Sequence, residues 1–235
     1  LGAETGLADG VVRRFMNLLP RITRTFAHAA SVAAIEMIPH SDLLAVASDT
    51  IVVVWSRSTG AKLFELKHPQ AVVTMRASPD GTLLATGSRD RFLRIWHLTR
   101  QPSEPTEYEL PVAQPDPADA HDEMAPLYGE GTIALVAISP DGKWVAAAHG
   151  TSANSSTNKV HVWSLSGDGP ELVLESPHQP MSLAFSHDGA RLAGGSYGGD
   201  VTVWEISRGT ELFRREQKGL ESSVIHCITF APGDR

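Results

Sequence analysis

The chain has 235 residues, of which 42% are hydrophobic and 20% charged, with a net charge of -7. That length and balance suit one folded unit with a sizeable core, and the longest apolar stretches run only a few residues, far short of the roughly 20 that cross a bilayer. Eight acidic residues (Glu104, Glu107, Glu109, Asp116, Asp119, Asp122, Glu123 and Glu130) fall in positions 101–130 with no Lys or Arg among them. Outside that stretch 19 acidic residues face 20 basic ones, so there is no basic stripe of the kind that neutralises phosphates, and nucleic acid is not expected as a partner.

The first residue is Leu1, and no charged segment followed by an apolar core marks a signal peptide, so the natural N-terminus is read as missing or removed. Residues 1–27 are read as the outer strand of a preceding unit or a linker. Within them Arg21-Ile22-Thr23-Arg24-Thr25-Phe26 fits a strand, and Gly10 to Leu19 reads as a short helix or the tail of another domain. From there the sequence repeats. Trp55 and Trp96 are 41 residues apart, as are Trp163 and Trp204, and each ends an alternating, β-branched run: Ile51–Trp55, Phe92–Trp96, Val160–Trp163 and Val201–Trp204. These are one strand seen four times.

Upstream of each run lies a turn between apolar strands: Ile38-Pro39-His40-Ser41, Ser78-Pro79-Asp80-Gly81, Ser139-Pro140-Asp141-Gly142 and Ser186-His187-Asp188-Gly189. Pro presets the first turn angle and Gly accepts positive φ, which closes a tight hairpin. Between turn and Trp strand come runs of small residues, such as Leu83–Ser88 and Arg191–Ser196, which let strands approach closely.

Together these features resemble the WD-repeat proteins, whose repeats follow a pattern of His, strand, Ser-Pro-Asp-Gly turn, Gly-Ser, Asp, and a strand ending in Trp. The resemblance implies an all-β propeller of four-stranded antiparallel blades arranged radially. It divides residues 28–235 into blades at about 28–67, 68–126, 127–177 and 178–219, with a partial blade at 220–235. A closed ring avoids open strand edges, so the chain is read as part of a longer protein with at least five blades, seven by family habit. The resemblance also implies a hydrogen-bonded tetrad of His68, Ser88, Asp90 and Trp96 in blade two. Blade one would use His28, Ser48, Asp49 and Trp55. Blade four would use His178, Ser196 and Trp204, with Gly198 where an Asp is expected, and blade three would keep Trp163 alone.

The 67 residues from Trp96 to Trp163 reflect two insertions, the acidic, proline-rich 101–130 and the Ser/Thr/Asn-rich 149–158. Thr106–Leu110 still reads as the outer strand of blade two, because it alternates like Ala61–Leu66. By family geometry both insertions emerge on the same, upper face.

No chemistry of a cofactor, metal or catalytic site stands out. No His pair has ligand spacing, and the acidic insertion lacks the ordered spacing of a calcium loop. The glycines of 194–199 join two strands without a following helix, and no Gly-x-Ser-x-Gly elbow is present. The chain is therefore expected to be a non-catalytic scaffold or sensing platform that binds protein partners, with no cofactor, no metal and no membrane contact. The alternative is a propeller hydrolase with its active site in the central funnel. Arg89, Arg91, Tyr128 and Tyr197 are the candidate partner-binding residues, because Arg and Tyr dominate interface energetics. The lone cysteine, Cys227, cannot pair internally and points to a reducing, cytoplasmic setting.

Overall fold

The computed structural model describes residues 25–28, 30–98, 104–110, 132–150, 158–167, 169–216, 223–231 and 233. Its sixteen strands form four four-stranded antiparallel sheets, each a meander in chain order. The first sheet joins β1 (Val32–Met37), β2 (Leu43–Ser48), β3 (Ile51–Ser56) and β4 (Lys62–Lys67). The second joins β5 (Val72–Ala77), β6 (Leu83–Ser88), β7 (Phe92–His97) and β8 (Thr106–Glu109). The third comprises β9 (Ile133–Ile138), β10 (Trp144–His149), β11 (Lys159–Ser164) and β12 (Leu172–Glu175), and the fourth β13 (Pro180–Phe185), β14 (Arg191–Ser196), β15 (Val201–Glu205) and β16 (Thr210–Arg215). The leading strands β1, β5, β9 and β13 neighbour one another in that order. The fold is all-β, in the stacked-blade arrangement of a propeller.

The lower hairpins show why the turn motif is repeated. Ser78, Ser139 and Ser186 are buried, and each donates its Oγ to the Asp two residues on at 2.5, 2.6 and 2.6 Å. Each Ser Oγ also accepts the first amide of the next strand, from Leu83, Trp144 or Arg191, at 2.9 Å. The Asp in turn accepts an amide from Thr82, Lys143 or Ala190, and these bonds hold Asp80, Asp141 and Asp188 below the usual carboxylate range. Gly81, Gly142 and Gly189 sit at φ near +70°, the conformation that Gly alone adopts without strain. The first sheet manages without an Asp-Gly pair. His40 takes the left-handed conformation, and Ser41 Oγ donates to Ile38 O at 3.0 Å.

Three apolar interfaces hold the sheets together, and each buries the Trp of one sheet against the sheet before it. Trp96 packs with Met75 and Leu84 onto Val52, Val54 and Leu66. Trp163 packs with Val136 and Val145 onto Leu93, Ile95 and Leu110, and Trp204 with Leu192 and Phe185 onto Val160, Val162 and Leu174. Small residues set the spacing. A methyl group on Gly87 would come within 2.6 Å of the Ile133 side chain and 2.8 Å of its carbonyl oxygen. One on Gly195 would meet Ile225 at 2.4 Å, so Ile225 stands on the fourth sheet as Ile133 stands on the second. Residues 223–231, the expected opening of another blade, form no strand, but Ile225 is tied to the fourth sheet by its N–H to Ser196 O at 3.0 Å and its carbonyl to Ser182 Oγ at 2.9 Å.

Candidate functional site: the upper turns

The β2–β3, β6–β7 and β14–β15 turns share one end of the sheets, opposite the Ser-x-Asp-Gly hairpins. The upper connections that lead into β5 and β13 lie at the same end. This end therefore holds the candidate tetrads and most of the candidate partner residues.

In blade two the network is built differently from the expectation. Trp96 Nε1 donates to Thr86 Oγ1 at 2.9 Å, and His68 Nε2 lies 2.8 Å from the same hydroxyl. Thr86, not Ser88, is the bridge. Both residues lie on the same face of β6, two apart, but Thr86 is level with the Trp96 indole, whereas Ser88 is nearer the turn and donates to Asp90 Oδ1. Asp90 does not bond His68. Its carboxylate accepts from Ser88 and from the Phe92 amide at 3.1 Å, and it faces the buried guanidinium of Arg94, whose Nη1 lies 3.1 Å from Oδ1 and 2.8 Å from Oδ2. Arg94 also donates Nε to Glu107 at 2.7 Å and Nη1 to Ser88 at 3.2 Å, and it lies over the Phe92 ring. His68 Nδ1 is buried without a hydrogen-bond partner among the described residues. Burial first, and the Arg94 charge second, push the His68 ionisation down to about 4, so the ring is neutral at pH 7.

Blade one has the same Trp strand and no such network. Val46 occupies the register position of Thr86, and the buried Trp55 Nε1 finds no acceptor among the described residues. His28 stands edge-on to Trp55 at 5.7 Å, its buried Nε2 without a hydrogen-bond partner among the described residues, and Phe26 packs on the indole at 5.4 Å. Ser48 turns to the Ala30 carbonyl at 3.1 Å, and Asp49 is exposed in the left-handed region at φ 53°. A valine side chain cannot accept the indole proton, so Ser48 and Asp49 have no tetrad to join.

Blade four holds a carboxylate where the sequence expectation found only Gly198. Asp200 is buried, its Oδ2 lies 2.5 Å from His178 Nδ1, and Ser196 Oγ donates to the same oxygen at 3.2 Å. Between the paired Gly87 and Leu93 and the paired Gly195 and Val201 the two turns have the same length, and Asp200 stands two residues beyond the position of Asp90, which Gly198 holds. Gly198 lies beneath the imidazole, where a Cβ would come within 2.3 Å of Nδ1. His, Asp and Ser thus converge, but in the wrong order for nucleophilic catalysis. Ser196 hydrogen-bonds the carboxylate, whereas a triad serine bonds the free imidazole nitrogen. Gly194 takes the register position of Thr86 and gives its space to the Trp204 ring.

Blade three is richer than its Trp alone. His161 replaces Arg94 in the repeat, stacks on Trp163 with centroids 5.8 Å apart, stands edge-on to His149, and holds Glu171 at 2.5 Å. Both histidines are buried. Among the described residues no group of three His, Cys, Asp or Glu side chains is arranged to hold a metal ion.

Of the candidate partner residues, Arg89, Arg91 and Tyr197 are exposed on upper turns, while Tyr128 lies outside the described residues. Arg91 has φ 73°, uncommon for a residue with a side chain. It makes a 3.4 Å ion pair with Glu109, both partners about half exposed. Leu110, within the acidic insertion and just after β8, donates its N–H to the Arg91 carbonyl at 3.0 Å.

The family model described as WD domain, G-beta repeat matches residues 20–56, 60–97 and 170–205. These three segments of the chain are WD40 repeats. Strands β9 to β11 of the third sheet lie outside the matched segments, although that sheet has the same four-stranded meander. Among curated proteins, a coronin-like protein of Saccharomyces cerevisiae is 36% identical over 76 residues, covering 32% of this chain and 12% of that protein. An F-box/WD-40 repeat-containing protein of Arabidopsis thaliana is 24% identical over 238 aligned positions, covering 90% of this chain and 42% of that protein. The chain thus spans less than half the length of either relative. No helix among the described residues is long and apolar enough to cross a membrane.

Proposed function

We propose that these WD40 repeats form a non-catalytic platform that holds a protein partner on the upper turns, acting in the cytoplasm as one part of a larger protein. The observation that carries this reading is the β6–β7 turn. Asp90, held by Ser88, the Phe92 amide and the buried Arg94, braces a turn on which Arg89 and Arg91 are exposed on either side. A braced turn offers long cationic side chains from a fixed base, which lowers the ordering cost of binding. Backbone strain such as that at Arg91 clusters at functional sites. Tyr197 adds an exposed aromatic on the turn of blade four, and Tyr128 belongs to the same proposed set by sequence.

The relatives' names support the general role, since one is a coronin-like protein and the other pairs WD-40 repeats with an F-box. The test is affinity capture from source cells with wild type, Arg89→Ala/Arg91→Ala and Tyr197→Ala, each with its melting temperature measured. A partner retained by wild type and lost by a variant that melts normally supports the reading. A partner set identical in all three moves the contact elsewhere, and a specific hydrolytic activity abolished by His178→Ala would replace the platform with the hydrolase.

A further inference from the structure

The His178–Asp200 pair of blade four does not stand where blade two places its His and Asp. His68 donates its N–H to the Thr50 carbonyl, and Ser176 makes the same bond to Asn158; three residues on, the carbonyls of Ala71 and Gln179 accept from Arg89 and Tyr197. Ser176 therefore occupies the place of His68, and His178 stands two residues beyond it. Asp200 likewise stands two residues beyond the Asp90 position, which Gly198 holds. Both partners are displaced by the same step, and Gly194 replaces the Thr86 bridge.

The displacement brings the ring to the surface and leaves its acid inside. The His178 side chain is 54% exposed and that of Asp200 only 4%. Asp200 Oδ2 lies 2.5 Å from Nδ1 and accepts from Ser196 Oγ at 3.2 Å, and the Asp200 N–H donates to the same Ser196 oxygen at 3.1 Å. Gly198 gives the ring its space, since a Cβ there would press on Nδ1. A carboxylate only accepts, so Nδ1 carries the proton and Nε2 presents a lone pair, without a hydrogen-bond partner among the described residues.

We propose that His178 is a phosphoryl acceptor, whose Nε2 attacks the phosphorus of a donor with a phosphorus–nitrogen bond. The Nε2–P bond forms as the donor's P–N bond breaks. The leaving nitrogen departs as ammonia or an amine with the protons it already carries, and the Nδ1 proton stays on the ring against Asp200. The buried carboxylate fixes the tautomer and stabilises the positive charge that the ring gains in the attack. It also selects a phosphoryl over an acyl group, because the ring cation of the phosphorylated form is balanced by Asp200, whereas an acylated ring of that charge loses its acyl group to water. The order that removes Ser196 as a nucleophile leaves the imidazole to act alone. This modification lies beside Tyr197 in the upper turns, and its chemistry does not rest on the platform reading.

The molecule carries its own comparison, because His40, His97 and His226 are exposed with no carboxylate on the ring among the described residues. The full chain, Asp200→Asn and Gly198→Ala would be incubated with phosphoramidate at neutral pH. Phosphohistidines would be located by mass spectrometry without acid, and the melting temperature of each chain recorded. His178 should gain phosphate roughly tenfold or more faster than the other three in wild type, and fall to their rate in either variant while theirs stay unchanged. Equal rates at all four histidines in wild type would overturn the proposal. So would a His178 rate that survives Asp200→Asn in a chain that melts normally. Should that variant not fold, Gly198→Ala, which keeps the carboxylate and shifts the ring, decides in the same way. Phosphorus NMR separates the two ring positions, and phosphate on Nδ1 would also count against it.

Discussion

Blades one and two share strand order, register and a Trp at the end of the third strand, yet only blade two ties its Trp into a polar network. The difference is one side chain. Thr86 gives Trp96 an acceptor and His68 a partner, while Val46 gives Trp55 neither. In blade one the indole is instead covered by Phe26. The Trp strand therefore specifies packing between sheets, and the hydroxyl on the neighbouring strand decides whether a network is added. A second difference lies at the same level, where Arg94 is buried in blade two and Val53 takes its register position in blade one.

The sharpest way to break the comparison is Arg94→Leu, which makes blade two resemble blade one at that position. It strands the Asp90 carboxylate, which is nearly as buried as the guanidinium itself. Removing one member of a buried ion pair costs about 3–5 kcal/mol, and urea unfolding should show a loss of that size with an unchanged slope. Adding Asp90→Asn should restore part of it, since the two sites are coupled. A loss below about 1 kcal/mol would mean that water already screens the pair.

Acidification tests the same network through His68. Its folded ionisation lies at about 4 against an ordinary value of 6.5, so the unfolded chain binds the proton first as pH falls. The stability this neutral ring contributes is complete above pH 6.5 and is lost progressively as pH drops toward 4, by about 3 kcal/mol in all. His68→Gln should flatten the unfolding free energy across that window relative to wild type. A variant with the same pH slope as wild type would place the titration elsewhere.

Thr86→Val transfers the blade-one arrangement directly. It leaves the Trp96 N–H and a His68 nitrogen buried without partners, a loss of about 2 kcal/mol at constant shape. Thr86→Ser should retain most of the stability, because the acceptor stays.

Much of this was legible in the sequence, and the misses have physical causes. The four Trp strands and the Ser-x-Asp-Gly hairpins were readable because period-two alternation and turn chemistry are local. Thr106–Leu110 reads as an outer strand for the same reason, and the strand spans Thr106–Glu109. Thr86 was passed over in favour of Ser88 because two hydroxyl residues two apart share a strand face, and only their depth beside the indole separates them. Asp200 is not reached by counting from Ser196, because the turn keeps its length while the acid stands two residues beyond the Asp90 position, where it meets His178. Arg94 and His161 carry polar groups in mid-strand and look solvent-facing in sequence, but their side chains reach from a buried backbone to acids on or beside the outer strand of the same sheet, Glu107 and Glu171.

The reverse exchange in blade one is the smallest effect and the most direct check of the comparison. Val46→Thr is nearly isosteric and places a hydroxyl at the register position of Thr86, facing an indole N–H that has no acceptor among the described residues. A new hydrogen bond contributes about 1 kcal/mol net, and here it satisfies a donor whose burial is already complete. The hydroxyl must in turn lose its own solvation, which His28 can offset, since its Nε2 is buried beside Trp55 without a partner among the described residues. The gain should therefore appear in full only when His28 is present: Val46→Thr stabilises by about 1 kcal/mol, and Val46→Thr/His28→Ala falls below His28→Ala alone. Additive effects across that cycle would show that the threonine acts on packing and not through the network that blade two possesses.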